Sequence, residues 1–231
     1  MEPLARLTPS GEWKRLPCGI GQLKACPKFA HEYLNKPHTY TVVSADGQGA
    51  TIHAAPTTLS ECYIYSGTGT YSGAPIRKSA IAASSAELFA DSAALQHLDK
   101  ADTMAIRKAL ARLVPKRLDT TKELQLFALR LEGQDMFVVQ RAFAEIDITP
   151  DPGRLKFIFA IGTLDRGRFN LLHWKQNSDD EEERVLGTIR LKSGRDFLIT
   201  TVSNPESQSF RVYGIRDGHL ALIYSGGGAS C

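Results

Sequence analysis

The segment Tyr63-Ile-Tyr-Ser-Gly-Thr-Gly-Thr-Tyr-Ser-Gly73 carries the most unusual chemistry in this sequence. Gly67, Gly69 and Gly73 follow an aromatic run and precede an alanine-rich stretch, with Glu87 further on. That order invites comparison with a dinucleotide-binding loop, whose glycines bring the backbone against a pyrophosphate at a helix N-terminus. The spacing does not fit. The third glycine comes one residue late for Gly-x-Gly-x-x-Gly, Pro75 interrupts the passage into a helix, and no alternation of parallel strands and helices follows. A second reading makes the segment an exposed loop that presents Tyr65, Ser66, Gly67, Thr68 and Tyr71 to a protein partner. Tyrosines among small residues form a rigid amphipathic contact surface at low entropic cost. A third reading packs the same tyrosines back on the core.

The remaining reactive residue types form no complete catalytic pattern. His31, His38, His53, His97, His173 and His219 are dispersed, none four residues from another, so no metal ligand pair is expected on one helix face. There is no Gly-x-Ser-x-Gly elbow for serine hydrolysis. Two carboxylates a few ångströms apart would suffice for glycoside hydrolysis, and sequence alone does not place them. His173, Trp174 and Phe169, close together in one strand, read as packing residues. The expectation is no catalytic residue, no metal and no cofactor.

Cys18 and Cys26 lie eight apart in a stretch with Gly19, Gly21 and flanking prolines, a turning segment that a disulfide could close. Cys62 sits in an aromatic run, and Cys231 ends the sequence after Ser225-Gly-Gly-Gly-Ala-Ser230. Of the three pairings that four cysteines allow, Cys18 with Cys26 and Cys62 with Cys231 is favoured, since the second bridge would tie down a glycine-rich tail. Disulfides imply an oxidising compartment, here the bacterial periplasm or outside the cell. The opening Met-Glu-Pro-Leu-Ala-Arg lacks the pattern of a secretory signal, so an exported protein would have lost one before this chain begins. The alternative is a cytoplasmic protein with four thiols.

Composition is that of a globular protein, 42% hydrophobic and 23% charged. A net charge of +3 is small, and the basic cluster Arg107, Lys108, Arg112, Lys116, Arg117 reads as the wet face of a helix, without the aromatics of a nucleic-acid surface. No run of apolar residues is long enough for a membrane-spanning helix.

The elements that must position any site are mostly strands. Residues 1–35 read as a loop-rich segment and 36–231 as one mainly β domain with a helical insert at about 79–115. Thr39 to Ser44, Ala50 to Ala54 and Cys62 to Ser66 are β-branched or aromatic runs, the first two joined by a turn at Asp46 to Gly49. Ser84 or Ser85 can cap a helix carrying Leu88, Leu95 and Leu98, and a second helix is expected from near Asp102 through Met104, Ile106, Leu110 and Leu113 to Pro115. From Lys122 on, the period becomes two: Leu124 to Leu131, Met136 to Ala142, Leu155 to Gly162, Arg168 to Lys175, Arg184 to Leu191, Asp196 to Ser203, Gln208 to Ile215 and His219 to Tyr224 read as antiparallel hairpins, in a sandwich or propeller-like arrangement. Asp179 to Glu183, five carboxylates in succession, are expected in an exposed turn. Gly162-Thr-Leu with Gly167-Arg-Phe, echoed by Gly187-Thr-Ile with Gly194-Arg-Asp-Phe, suggests a repeat of one hairpin.

Gly162-Thr-Leu-Asp-Arg-Gly-Arg168 between two strands resembles the integrin-type FG-GAP repeat of exported bacterial proteins, over residues 155–224. That family binds calcium through an Asp-x-Asp-x-Asp-Gly turn. Here only Asp165 remains, with Arg166 and Arg168 beside it, so the resemblance implies an exported β protein without that calcium site. Ser66-Gly67-Thr-Gly-Thr-Tyr71 resembles, with one residue more, the Ser-Gly-x-x-Tyr loop of bacterial periplasmic lysozyme inhibitors. Together these imply a non-catalytic exported bacterial protein that binds another protein, as an inhibitor or immunity protein against a secreted toxic hydrolase. A hydrolase with a site assembled from distant residues, and an envelope scaffold or adhesion module, are the alternatives.

Overall fold

The computed structural model describes residues 5–8, 10–15, 26–33, 39–44, 49–54, 58–59, 65–66, 69–73, 80–83, 98–113, 125–144, 155–177, 181–204 and 207–227. In chain order these form β1 (Arg6–Leu7), β2 (Trp13–Lys14), α1 (Cys26–Tyr33), β3 (Thr39–Ser44), β4 (Gly49–Ala54), β5 (Thr58–Leu59), β6 (Tyr65–Ser66), β7 (Gly69–Gly73), β8 (Ala80–Ala83) and α2 (Lys100–Leu110). The second half supplies β9 (Gln125–Leu131), β10 (Gln134–Ala144), β11 (Leu155–Asp165), β12 (Arg168–Asn177), β13 (Glu182–Arg190), β14 (Asp196–Ser203), β15 (Gln208–Arg216) and β16 (His219–Gly226). The protein is mainly β and antiparallel, as its period-two patterning predicts.

Strands β9 to β12 make one four-stranded meander and β13 to β16 a second. Three of their hairpins turn through Glu132-Gly133, Arg166-Gly167 and Asp217-Gly218, with positive φ at both residues of each pair. That is the two-residue geometry whose twist matches paired strands, and glycine at its second position adopts it without a steric penalty. The regularity in this half is therefore a meander of four strands; the two hairpins with similar sequences occupy different places, one closing the first sheet and one opening the second.

Alternation then assigns faces. Leu129, Leu131, Met136, Val138, Phe159 and Ile161 of the first sheet meet Leu198 and Tyr213 of the second, so the two sheets stack as a sandwich. The outer face of the first sheet, with Phe137, Val139 and Ala160, lies under Ile106 and Leu110 of α2. Burying each of those two aliphatic side chains contributes about 1.5–3 kcal/mol. Helix α2 is capped by Asp99, whose Oδ1 accepts from the Asp102 amide at 2.7 Å. Its apolar stripe is narrower than predicted, since Met104 and Leu113 are exposed. The outer face of the second sheet, with Phe197, Ile199, Phe210 and Val212, is covered by Ala5, Leu7 and Trp13 of the small β1–β2 ribbon.

A further sheet, in the order β7-β4-β3-β8, adjoins the sandwich where β3 and β8 lie against β13. Three sequence expectations change here. Cys26–Tyr33 is a helix inside the segment read as loop: Pro27 sits in the first turn, where its missing N–H costs nothing, and Phe29 is buried. Ala80–Ala83, at the start of the expected helical insert, is a strand paired with β3, because pairing beside buried Val42 outweighs the helix propensity of three alanines, and Ile81 favours a strand. The acidic run is not a free turn, since Glu182 and Glu183 already belong to β13. The helix expected after Ser84 falls outside the described residues.

Candidate functional site

The end of the sandwich where β12 hands over to β13 holds charged residues between its two sheets. Their placement depends on a bulge. Phe169 and Leu171 of β12 face α2, and strict alternation would send residue 173 the same way. Between Ile161 and Gly162 the register shifts, leaving Leu172 unopposed and exposed. Trp174 therefore takes the α2 face, and His173 turns inward against Phe159 and Tyr213, with ring centroids 6.2 and 5.2 Å away. Bulges re-aim side chains in this way next to sites.

Glu183 is the centre of the cluster and has no exposed side-chain surface. Its Oε1 accepts from the Thr200 hydroxyl at 2.7 Å and from the Tyr213 hydroxyl at 2.8 Å, and its Oε2 accepts from Arg211 Nη1. Arg211 also reaches Glu181 Oε1 at 3.3 Å, which Lys175 Nζ approaches at 2.5 Å. The Tyr213 proton is committed to Glu183, so His173 Nε2, 3.5 Å from the same oxygen, meets an acceptor. At the same end Gln140 joins the sheets: its amide donates to Gln125 at 2.6 Å and its oxygen accepts from the Val185 N–H at 2.9 Å. At the opposite end Asp196 takes a bidentate pair from Arg190, at 2.6 and 2.9 Å, and the Glu132 N–H at 2.7 Å, fixing the β9–β10 turn against the second sheet.

The electrostatics follow from this packing. Burial lowers the His173 pKa from its ordinary value; Glu183 opposes that, and Arg211 and Lys175 add to it. Burial, then the charge of Glu183 and the hydrogen bond to it, push the Tyr213 phenol up. Burial pushes the Glu181 carboxyl up, but Lys175 and Arg211 outweigh it and hold it below the usual carboxylate range. Burial lowers the Arg211 pKa, but Glu183, Tyr213 and Glu181 together outweigh it and raise the value. At neutral pH the cluster thus holds a neutral imidazole and a neutral phenol beside Arg211. Each oxygen of Glu183 is engaged by a donor, and a satisfied polar network of this kind rigidifies what it joins. Chemically it offers a neutral imidazole beside a phenol; mechanically it is a clasp.

The residues singled out from the sequence lie elsewhere. Tyr65 and Ser66 form β6, paired with Leu59 and Thr58 of β5. Gly67 and Thr68 lie outside the described residues. Tyr71 is not in a loop: it is central in β7, opposite Ile52 of β4 and 39% exposed. The run Gly69-Thr-Tyr-Ser-Gly73 can extend because Gly69 tolerates close approach, a Cβ there falling 2.4 Å from the His53 carbonyl oxygen. Cys18, Cys62 and Cys231 lie outside the described residues, and for Cys26 only its place in α1 is described. Among the described residues no cluster of three or more His, Cys, Asp or Glu could hold a metal ion, and no helix is long and apolar enough to cross a membrane.

Sequence reasoning missed the clasp because its members are spread from residue 173 to residue 213. The available signal was the alternation of Glu181 and Glu183 with Arg211 and Tyr213, which places polar pairs at the period of inward-facing positions. Comparison of this chain with models of protein families, with curated proteins and with solved structures gives no match.

Proposed function

We propose that this chain is a non-catalytic binding protein, exported to the bacterial periplasm or beyond, that blocks a secreted toxic hydrolase as an inhibitor or immunity protein, with strand β7 as its contact. The observation that carries the reading is β7 itself: an edge strand with all five residues exposed, no charge, and Tyr71 at its centre. An uncharged edge offers main-chain hydrogen bonds to an extended segment of a partner, and a tyrosine supplies the anchor. The four cysteines support an oxidising compartment, and the FG-GAP-like turn at residues 162–168 supports an exported β scaffold.

The test is inhibition of a panel of purified bacterial peptidoglycan, lipid and nucleic-acid hydrolases. One enzyme is expected to be inhibited, with Tyr71→Ala weakening binding by about 2 kcal/mol, roughly thirtyfold. Unchanged potency would remove β7 from the mechanism. A hydrolase is the second reading, favoured by the meeting of His173, Tyr213 and Glu183 from three distant strands. Turnover by the chain itself, lost in Tyr213→Phe, would select it.

A further inference from the structure

Strands at sheet edges expose unpaired N–H and C=O groups, and proteins blunt them with charge, bulges or cover. Among the described residues the longer edges of this molecule are so treated. Strand β9 carries Arg130, β12 and β13 carry several charged residues, β16 is bulged opposite Val212 and Tyr213, and β8 lies against β13. Among the described residues strand β7 has none of these devices. It pairs with β4 along one side, from Ala50 opposite Gly73 to Ala54 opposite Gly69. Its sequence, Gly69-Thr70-Tyr71-Ser72-Gly73, reads almost the same in both directions.

That symmetry names an occupant. Two antiparallel copies of one strand, related by a two-fold axis through residue 71, place Tyr71 opposite its own copy, Thr70 opposite Ser72 and Gly69 opposite Gly73. Each opposition matches like with like: aromatic with aromatic, hydroxyl with hydroxyl, glycine with glycine. Aromatic pairs and Thr–Ser pairs are favourable cross-strand neighbours, and a two-fold interface requires a self-complementary patch. No other register of the strand on itself pairs all five residues.

We infer that a second copy of this chain docks on β7, joining two β7-β4-β3-β8 sheets into one continuous antiparallel sheet about a two-fold axis at Tyr71. The inference rests on the reading of β7 as a pairing edge and is independent of any hydrolase. A contact this small gives a weak dimer. A hydrolase that uses the same edge would compete with it.

Sedimentation velocity of the full chain over a concentration series tests this, with circular dichroism to confirm that each variant is folded. The wild type is expected to pass from monomer to dimer, and Tyr71→Lys, which sets like charges face to face, to stay monomeric. The register is read by cross-linking. Directly opposed Cα atoms stand about 4.5–5.5 Å apart, within disulfide range, so Tyr71→Cys should oxidise to a dimer linked through residue 71, located by peptide mass mapping. Thr70→Cys, which faces Ser72, should not. A wild type that remains monomeric throughout, or Thr70→Cys linking as readily as Tyr71→Cys, overturns the inference. If self-pairing fails but Tyr71→Ala still weakens hydrolase inhibition, only the dimer is lost; if the dimer forms and inhibition is indifferent to Tyr71, the inhibitor reading is lost instead.

Discussion

Replacing the two ends of the Glu183–Arg211 pair, singly and together, tests whether the clasp acts as a unit. Arg211→Met leaves Glu183 without its cationic partner in a site with no exposed side-chain surface, held by two neutral hydroxyls. Breaking a buried pair from one side costs about 3–5 kcal/mol, and the two remaining hydrogen bonds put this variant at the low end, about 3 kcal/mol. Glu183→Gln keeps an acceptor for Tyr213 and Thr200 and strands Arg211, which is 17% exposed and retains Glu181. Its cost is lower, about 2 kcal/mol. The double variant buries no unpaired charge and keeps the hydroxyl acceptor, so it too should lose only about 2 kcal/mol, leaving a coupling of about 3 kcal/mol. Guanidinium unfolding of the four proteins at pH 7 measures these differences, and for a chain of this size 1 kcal/mol also corresponds to about 2–4 °C in Tm. If the two single costs simply add in the double variant, the pair is not coupled and the argument is wrong.

Acidification should weaken the same clasp through His173. Its folded pKa lies below its ordinary 6.5, so the unfolded chain binds the proton first: the stabilisation is complete above about pH 6.5 and is lost as pH falls through the folded value. The groups that face the ring are Glu183 on β13, Tyr213 and Arg211 on β15, and Lys175 on β12. Unfolding free energy measured against pH should therefore fall in that window for the wild type and be flatter for His173→Gln; parallel curves would clear His173. Gly162→Ala should cost about 3 kcal/mol by overpacking, because a Cβ there would meet the Asn170 carbonyl oxygen and the Phe169 ring at 2.5 Å, and thermal unfolding of the variant checks it.

The strands after residue 124 were legible because each is a local pattern. Inward and outward residues alternate over seven or more positions, and X-Gly pairs punctuate them at Glu132-Gly133, Arg166-Gly167 and Asp217-Gly218. Helix α2 was legible for the same reason, through the spacing of Ile106 and Leu110 one turn apart, although its start near Asp102 was read without the Asp99 cap. Tyr71 was legible as an exposed residue but not as a strand residue. Its pairing with Ile52 depends on a neighbour 19 positions away, and on how closely a glycine lets two backbones approach.

The clasp shows where local reading stops. Five acidic residues in succession repel one another, and alone they stay in water. Glu183 is buried nonetheless, because Arg211, Thr200 and Tyr213 arrive from β14 and β15 to replace the water it gives up. The inward turn of His173 depends on a one-residue bulge that strand periodicity does not encode. Local pattern alone was enough for the strands after residue 124 and their turns, since these follow from propensity and period along a short stretch of chain. Which charges lie between the sheets was set by the stacking of the two meanders, because a buried charge needs partners that meet only when the sheets stack.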